Sequence, residues 1–187
     1  MPEVKRLCRP YPITALWILA LVATQWGLAL GAVPRLPWPA VTLLVWLVGA
    51  PVSHGLFVLM HDCAHDLVSR HRWHNQVLAI VCDLAQTIPS AASFRRYHLR
   101  HHAAMGQLGI DADLPTSFEA RLVGNSPWRK ALWMCCYRVS EALRPFSSQA
   151  MAGPRGWLAL NFLLVLVADL LLLTAGGAVA LAYLLAS

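Results

Sequence analysis

All eight histidines of this chain lie between His54 and His102. Five of them form two compact groups, His61-Asp62-Cys63-Ala64-His65 and Tyr97-His98-Leu99-Arg100-His101-His102. On a helix, residues three and four apart share a face. His61 and His65 can therefore present a pair of imidazoles to one point, and His98, His101 and His102 can present three. Neutral imidazole is the commonest side-chain ligand for iron, copper and zinc. A cluster of uncoordinated rings would instead share protons and repel on charging. The spacing points to a metal site built from His61, His65, His98, His101 and His102, with no catalytic side chain expected beyond these ligands.

The metal is narrowed by what accompanies the rings. His61 and His65 have the spacing of the HExxH helix of zinc proteases, but that motif needs a glutamate as general base. Asp62 stands there instead, one methylene shorter, and an HxxHH group is not a usual third zinc ligand. Sites carrying many histidines suit iron that must bind and activate dioxygen. Asp62 is then expected to orient a ligand ring from behind. Cys63 reads as a small packing residue rather than a ligand.

The elements that position these groups belong to a membrane protein. The chain has 187 residues, 58% of them hydrophobic and only 13% charged, which is too apolar for an ordinary soluble domain. The expected fold is an all-α integral membrane bundle of helical hairpins with the histidine-rich site on its cytoplasmic side. A basic tail covers residues 1–12, and residues 13–187 form one domain. Charge-free apolar runs over Ile13 to Val33 and Ala40 to Met60 have the roughly 20-residue length that crosses a bilayer. A signal peptide would have a shorter apolar segment than the first run. Pro34, Arg35, Pro37 and Pro39 make the turn between the runs. Pro51 and Gly55 are tolerated in the second, as membrane helices allow. A third run, Trp157 to Thr174, contains Asp169 and is broken by Gly176-Gly177. The apolar stretch Ala178 to Leu185 after it is either part of a cut-short helix or a short packed element.

The net charge of +6 bears first on topology. Lys5, Arg6 and Arg9 precede the first run, and most other basic residues lie between the second and third, so both regions are cytoplasmic by the positive-inside rule. The setting is the inner membrane in a bacterium or the endoplasmic reticulum in a eukaryote. No basic run with interleaved aromatics is present, and no nucleic-acid partner is expected. Val77 to Ile88, interrupted by Asp83 and ended by Pro89, is too short to span and reads as an interfacial or re-entrant segment. Residues 126–145 open with Ser126 at an N-cap and Pro127 at the first helical position, and Trp128, Trp133 and Tyr137 suit the headgroup level. The five cysteines have no CxxC spacing and read as free buried thiols.

Outside the boxes, His54 is expected to make a helix–helix hydrogen bond, and His71 and His74 to lie on the surface. Asp111, Asp113 and Glu119 either back up ligand rings or cap and orient a loop. Asp169 is either a pathway-facing group or a helix–helix contact. Arg95, Arg96 and Arg100 flank the second box and suit contact with phosphate headgroups or an acidic electron carrier.

Four stretches together resemble the membrane fatty acid desaturase family, and more narrowly its sphingolipid (dihydroceramide) delta-4 desaturase branch. They are Ser53-His54-Gly55 leading to His61–His65, then Ser93-Phe94-Arg95-Arg96-Tyr97 leading to His98–His102, then Asp111 to Glu119 with its Asp-x-Asp-x-Pro-Thr-x-Phe-Glu pattern, then Leu143-Arg144-Pro145-Phe146. The resemblance implies a di-iron, dioxygen-dependent oxidoreductase that introduces a double bond into a sphingoid or fatty acyl chain of a membrane lipid. It implies His61, His65, His98, His101 and His102 as iron ligands, a pair of irons in the complete enzyme, and electrons from a cytochrome b5-type protein or a ferredoxin. The family also has a third HxxHH box, whereas no histidine follows His102 here. The expectation is therefore the N-terminal portion of a desaturase. The alternatives are a hydroxylase or acyl-lipid desaturase of the same family, and a non-catalytic metal-binding membrane fragment.

Overall fold

The computed structural model describes residues 9–111, 113–136 and 155–187. Among them every regular element is helical. The chain divides into two compact units, Met1–Ala92 with Arg155–Ser187, and Ser93–Pro154. The sequence signals at Lys5, Arg6, Cys8, Tyr137 and Leu143–Phe146 lie outside the described residues.

The first unit contains three helical stretches long and apolar enough to cross a membrane, Ile13–Arg35, Trp38–Ala64 and Gly156–Ala186. The first is α1 (Ile13–Gly27), a π-helical turn (Leu28–Ala32) and a 3₁₀ turn (Val33–Arg35). The second is α2 (Trp38–Leu44), a π-helical turn (Val45–Gly49) and α3 (Ala50–Ala64). The π turns precede Pro34 and Pro51. A proline ring clashes with the carbonyl four residues back in a regular α-helix, and a wider turn relieves that clash without ending the helix. The second helix runs four residues past Met60, where hydropathy drops. Hydropathy measures the apolar thickness crossed, while the backbone hydrogen bonds continue into the polar edge.

The exposure pattern of this unit is that of a protein solvated by lipid. Leu16, Trp17, Leu43, Trp46, Leu47 and Phe162 are all more than half exposed, a cost in water that a bilayer removes. The interior instead holds polar groups with satisfied hydrogen bonds. The fully buried Gln25 donates from Nε2 to the Gly49 carbonyl (2.9 Å) and to Ser53 Oγ (2.8 Å), and Tyr183 Oη donates to Gln25 Oε1 (2.9 Å). One glutamine thereby ties all three spans together.

The third long helix, α8 (Gly156–Ala186), carries one non-helical residue, Gly177, at φ 72° and ψ −177°. An L side chain would be strained in that conformation. At neighbouring Gly176 an added Cβ would come within 2.8 Å of Leu30 Cδ2, so the first span and α8 approach closely there. Beyond the break, Ala180, Tyr183 and Leu184 are buried in one cluster with Ala29, Val33 and Leu172. The apolar stretch after Gly176-Gly177 continues α8 and packs through these residues.

Helix α4 (Arg72–Asp83) packs against α3 and α1. Trp26 Nε1 donates to the Leu84 carbonyl, which follows α4 (2.9 Å). Helix α5 spans Ala91–Ala103 and carries the second histidine group. In the second unit, α6 (Ser117–Val123) begins with a capping box. Thr116 Oγ1 accepts the Glu119 N–H, and Glu119 Oε2 accepts the Thr116 N–H. Helix α7 (Pro127–Cys135) starts as anticipated, with the Ser126 side chain capping the Arg129 N–H and proline in the first turn.

Candidate metal centre

The first histidine group occupies the last turn of α3. His61 and His65 stand one turn apart with ring centroids 4.7 Å from each other. The helix stops at His65 because Asp66 adopts a left-handed conformation, φ 59°. The Leu67 N–H then reaches back to the Asp62 carbonyl (3.0 Å) and the Asp66 N–H to that of Cys63 (3.1 Å), the bond pair of a Schellman cap. Asp66 therefore ends the helix immediately after the second ring of the pair. Asp62 Oδ1 lies 3.9 Å from His61 Nδ1, beyond hydrogen-bond length. Cys63 is buried, in keeping with a packing role.

The second group is fixed from both ends of its helix. At the start of α5 a carboxylate from the end of α4 takes up the helix's orphan donors. Asp83 accepts the N–H groups of Ser90 (2.8 Å) and Ala91 (2.7 Å), the Ser90 hydroxyl (2.8 Å) and the Asn161 amide of α8 (2.8 Å). Asn161 Oδ1 in turn accepts the Ala92 N–H (3.1 Å). Both side chains are almost fully buried, at 0% and 1% exposure. Burial outweighs these hydrogen bonds and pushes the Asp83 carboxyl up to about 6. Along α5 the Phe94 ring stacks on His98, centroids 4.8 Å apart at 11°. His98 and His102 bring their Nε2 atoms to 3.0 Å, a separation at which two ring nitrogens can share a proton or a cation. His101 sits beside both, its centroid 6.0 Å from that of His98 and 5.3 Å from that of His102.

At the far end of α5, His101 Nδ1 is 2.7 Å from Asp111 Oδ1 and 3.3 Å from Asp113 Oδ2. Asp111 is itself held by the N–H groups of Gly106 (2.9 Å) and Asp113 (2.9 Å). Burial alone would raise its carboxyl. The Gly106 hydrogen bond, the bond to and charge of His101, and the Asp113 bond together bring it below its ordinary value. With Nδ1 engaged by a carboxylate, His101 keeps Nε2 for a metal, the arrangement that orients most histidine ligands. Asp111 and Asp113 thus back up a ring. Glu119 does the other job open to it, capping α6 and accepting from Trp133 Nε1 (3.2 Å).

Several expectations change. His54 makes no helix–helix hydrogen bond among the described residues and is exposed. The helical phase turns neighbouring Ser53 toward Gln25 and His54 outward. Arg95 is buried at 8% exposure, so it is not a headgroup-facing residue. Arg96 and Arg100 are half-buried. Trp133 is half-buried and turned toward Glu119, while Trp128 is 84% exposed. Cys63 and Cys82 are buried, but Cys135 and Cys136 are exposed. Burial pushes the Cys82 thiol well above its ordinary range. Asp169 is half-buried on α8, with Oδ1 buried and unpaired among the described residues. His71 is exposed and His74 half-buried. In the sequence Asp83 reads only as an interruption of an apolar segment. A lone carboxylate in an apolar run, seven residues ahead of Ser90, was the available signal.

A helical unit with three stretches apolar enough to cross a membrane and two structured groups of imidazoles, one backed by carboxylates, define a candidate histidine-rich metalloprotein of the membrane. Residues 36–187 match the fatty acid desaturase family, and the chain belongs to it. It is 35% identical over its whole length to a sphingolipid delta(4)-desaturase/C4-monooxygenase of Bos taurus, covering 57% of that protein. It is 30% identical, again over its whole length, to a sphingolipid delta(4)-desaturase of Candida albicans and covers 50% of it. A sphingolipid delta(4)-desaturase of the DES1-like type from Arabidopsis thaliana is 31% identical, with 55% of its length covered. The chain spans about half the length of these relatives. No solved structure matches it.

Proposed function

We propose that this chain supplies the first two histidine boxes of an iron- and dioxygen-dependent lipid desaturase, with His61, His65, His98, His101 and His102 as ligands. The observation that carries the reading is the His101–Asp111 pair at 2.7 Å. It is a built ligand-orienting contact in a chain similar to sphingolipid desaturases. The donor set fits iron, since it is rich in neutral imidazole and the adjacent thiol of Cys63 is packed away among buried residues. When bound, iron together with dioxygen and two electrons would supply the oxidising power needed to remove two hydrogens from an unactivated alkyl chain.

The residues of this chain do the positioning. Asp111 holds His101 through Nδ1, Phe94 holds the plane of His98, and Asp83 holds the first turn of the helix that carries both. Asp66 sets where the His61–His65 pair ends. The substrate class is a membrane lipid with a long sphingoid or fatty acyl chain, which the apolar spans keep in the bilayer. The electron donor is a cytochrome b5-type protein or a ferredoxin. Residues 13–187 act as one desaturase-like region behind the basic tail 1–12, and the boxes face the cytoplasm, as the distribution of basic residues supports. Hydroxylation is the second reading. The printed name of the Bos taurus relative joins a desaturase to a C4-monooxygenase, and both outcomes start by removing hydrogen from the same kind of chain.

The test is iron per chain, by elemental analysis of detergent-purified protein. The wild-type chain is expected to retain iron, and the double substitution His98→Ala with His102→Ala to lose it. Co-expression with the part of a relative beyond its aligned region is expected to raise the iron content and to yield an unsaturated product from a dihydrosphingolipid. No iron above the double variant in either form would overturn the reading.

A further inference from the structure

Arg70, His71, Trp73 and His74 stand outside the two histidine groups, yet they wall a cavity of about 790 Å³. None of the five box histidines lines this cavity. Its polar rim is Ser69, Arg70, His71 and His74, and its floor is apolar, with Ala15, Val68, Val77 and Leu78. Among the described residues no acidic side chain lines it, and Arg70 has no ion pair. The positive charge on the rim is therefore not neutralised from within.

The walls are preorganised. Asn75, with 0% exposure, locks the loop with all of its hydrogen-bonding capacity. Its Oδ1 accepts the N–H groups of Val68 (3.1 Å) and Ser69 (3.0 Å), and its Nδ2 donates to the carbonyls of Ser69 (2.7 Å) and His71 (3.1 Å). Ser69 Oγ accepts the His71 N–H (3.2 Å) and lies 2.9 Å from His74 Nδ1. When the hydroxyl donates to Nδ1, His74 Nε2 carries the ring proton and can donate outward. Across the cavity, the Tyr11 N–H donates to the Leu67 carbonyl (2.7 Å) and ties the entry of the first span to this loop.

The cavity also lies at a particular depth. The first span starts at Ile13 and the second ends at Ala64, so in a hairpin both ends reach the same membrane face. Pro12 and Val68 sit at those ends. Trp73, 58% exposed, is the residue type that settles at headgroup level. A cationic rim over an apolar floor at that depth is complementary to one kind of molecule, a lipid with a negative headgroup.

We propose that this cavity is a binding site for one anionic phospholipid, its phosphate on Arg70, His71 and His74 and an acyl chain along Val77 and Leu78. The test is native mass spectrometry of the full chain released from micelles doped with equal amounts of phosphatidylglycerol and phosphatidylcholine of identical acyl chains. One phosphatidylglycerol per chain is expected to survive in preference to phosphatidylcholine. Arg70→Ala is expected to lower its retention about fivefold, the usual effect of one basic side chain near a lipid surface. Val77→Trp keeps every charge but fills the floor, and is expected to remove the bound lipid. Arg35→Ala, in the turn at the other end of the hairpin, should leave retention unchanged. Equal retention of the two lipids, or an Arg70→Ala chain that holds phosphatidylglycerol like the wild type, would overturn the proposal. So would loss on Arg70→Ala with Val77→Trp unaffected, which would reduce the site to a charged surface without a pocket.

Discussion

The two histidine groups solve the same positioning problem by different means. His61 and His65 are placed by the backbone. They sit on the last turn of α3, and a left-handed Asp66 ends the helix just after them. The nearby carboxylate, Asp62, is too far from His61 to hydrogen-bond. His98, His101 and His102 are placed by side chains. Asp83 and Asn161 fix the start of α5, Phe94 stacks on His98, and Asp111 holds His101. Each group is therefore vulnerable in a different place. The first should respond to backbone conformation at one residue, the second to loss of particular buried carboxylates.

The largest effect should come from Asp83. Asp83→Leu leaves two backbone N–H groups and the Asn161 amide without their acceptor, and unsatisfied buried groups cost about 1–3 kcal/mol each. A loss of at least ~3 kcal/mol is expected by denaturant titration in micelles, along with faster hydrogen exchange at the first turn of α5. Asp83 also gives a pH signature. Its folded carboxyl, at about 6, lies above its ordinary value of 3.8. The native state therefore holds a proton that the unfolded chain has released. Its contribution to stability is full below pH 4 and is lost as pH rises through 6. Asp83→Asn should flatten the wild-type difference in melting temperature between pH 4 and pH 7, and an unchanged slope would show that other groups set it.

Next in size is Asp111. Asp111→Ala should weaken cobalt(II) binding, followed by visible absorption, by about 10–100-fold, as loss of a ligand's hydrogen-bond partner usually does. The comparison predicts no such effect for Asp62. Asp62→Asn is expected to leave cobalt affinity unchanged and stability within about 0.5 kcal/mol, and a tenfold loss of affinity there would erase the distinction between the groups. At Asp66, replacement by valine should destabilise the chain by about 1–2 kcal/mol more than replacement by glycine. If both changes were neutral, the backbone account of the first group would fail. Thr116→Ala removes the cap of α6 at a cost of about 1 kcal/mol and should leave cobalt binding untouched.

Much of this organisation was legible before any coordinates. Three apolar runs mark the spans, because the bilayer imposes a minimum apolar length whatever the packing. The i, i+3 and i+4 spacing of the histidines marks shared helical faces, because that geometry is set within a turn. Ser126-Pro127 marked the start of α7 for the same local reason. Local pattern is silent where a side chain's partner lies elsewhere in the chain. His54 lies in an apolar helix as a contact residue would, but its phase on α3 turns it outward. Arg95 has the look of a headgroup contact and is buried.

A helical membrane chain, two histidine groups of metal-binding type and the motifs of the fatty acid desaturase family are all readable along the chain. Local spacing carries that information, since backbone geometry makes near neighbours share a face. Which carboxylate serves which ring, and which polar residues become buried anchors, follows from the packing of the helices. Asp111 reaches His101 across a loop, and Asn161 reaches Asp83 from 78 residues away. Such pairings depend on which helices pack together, and that follows from burial summed over many weak contacts rather than from any short pattern along the chain.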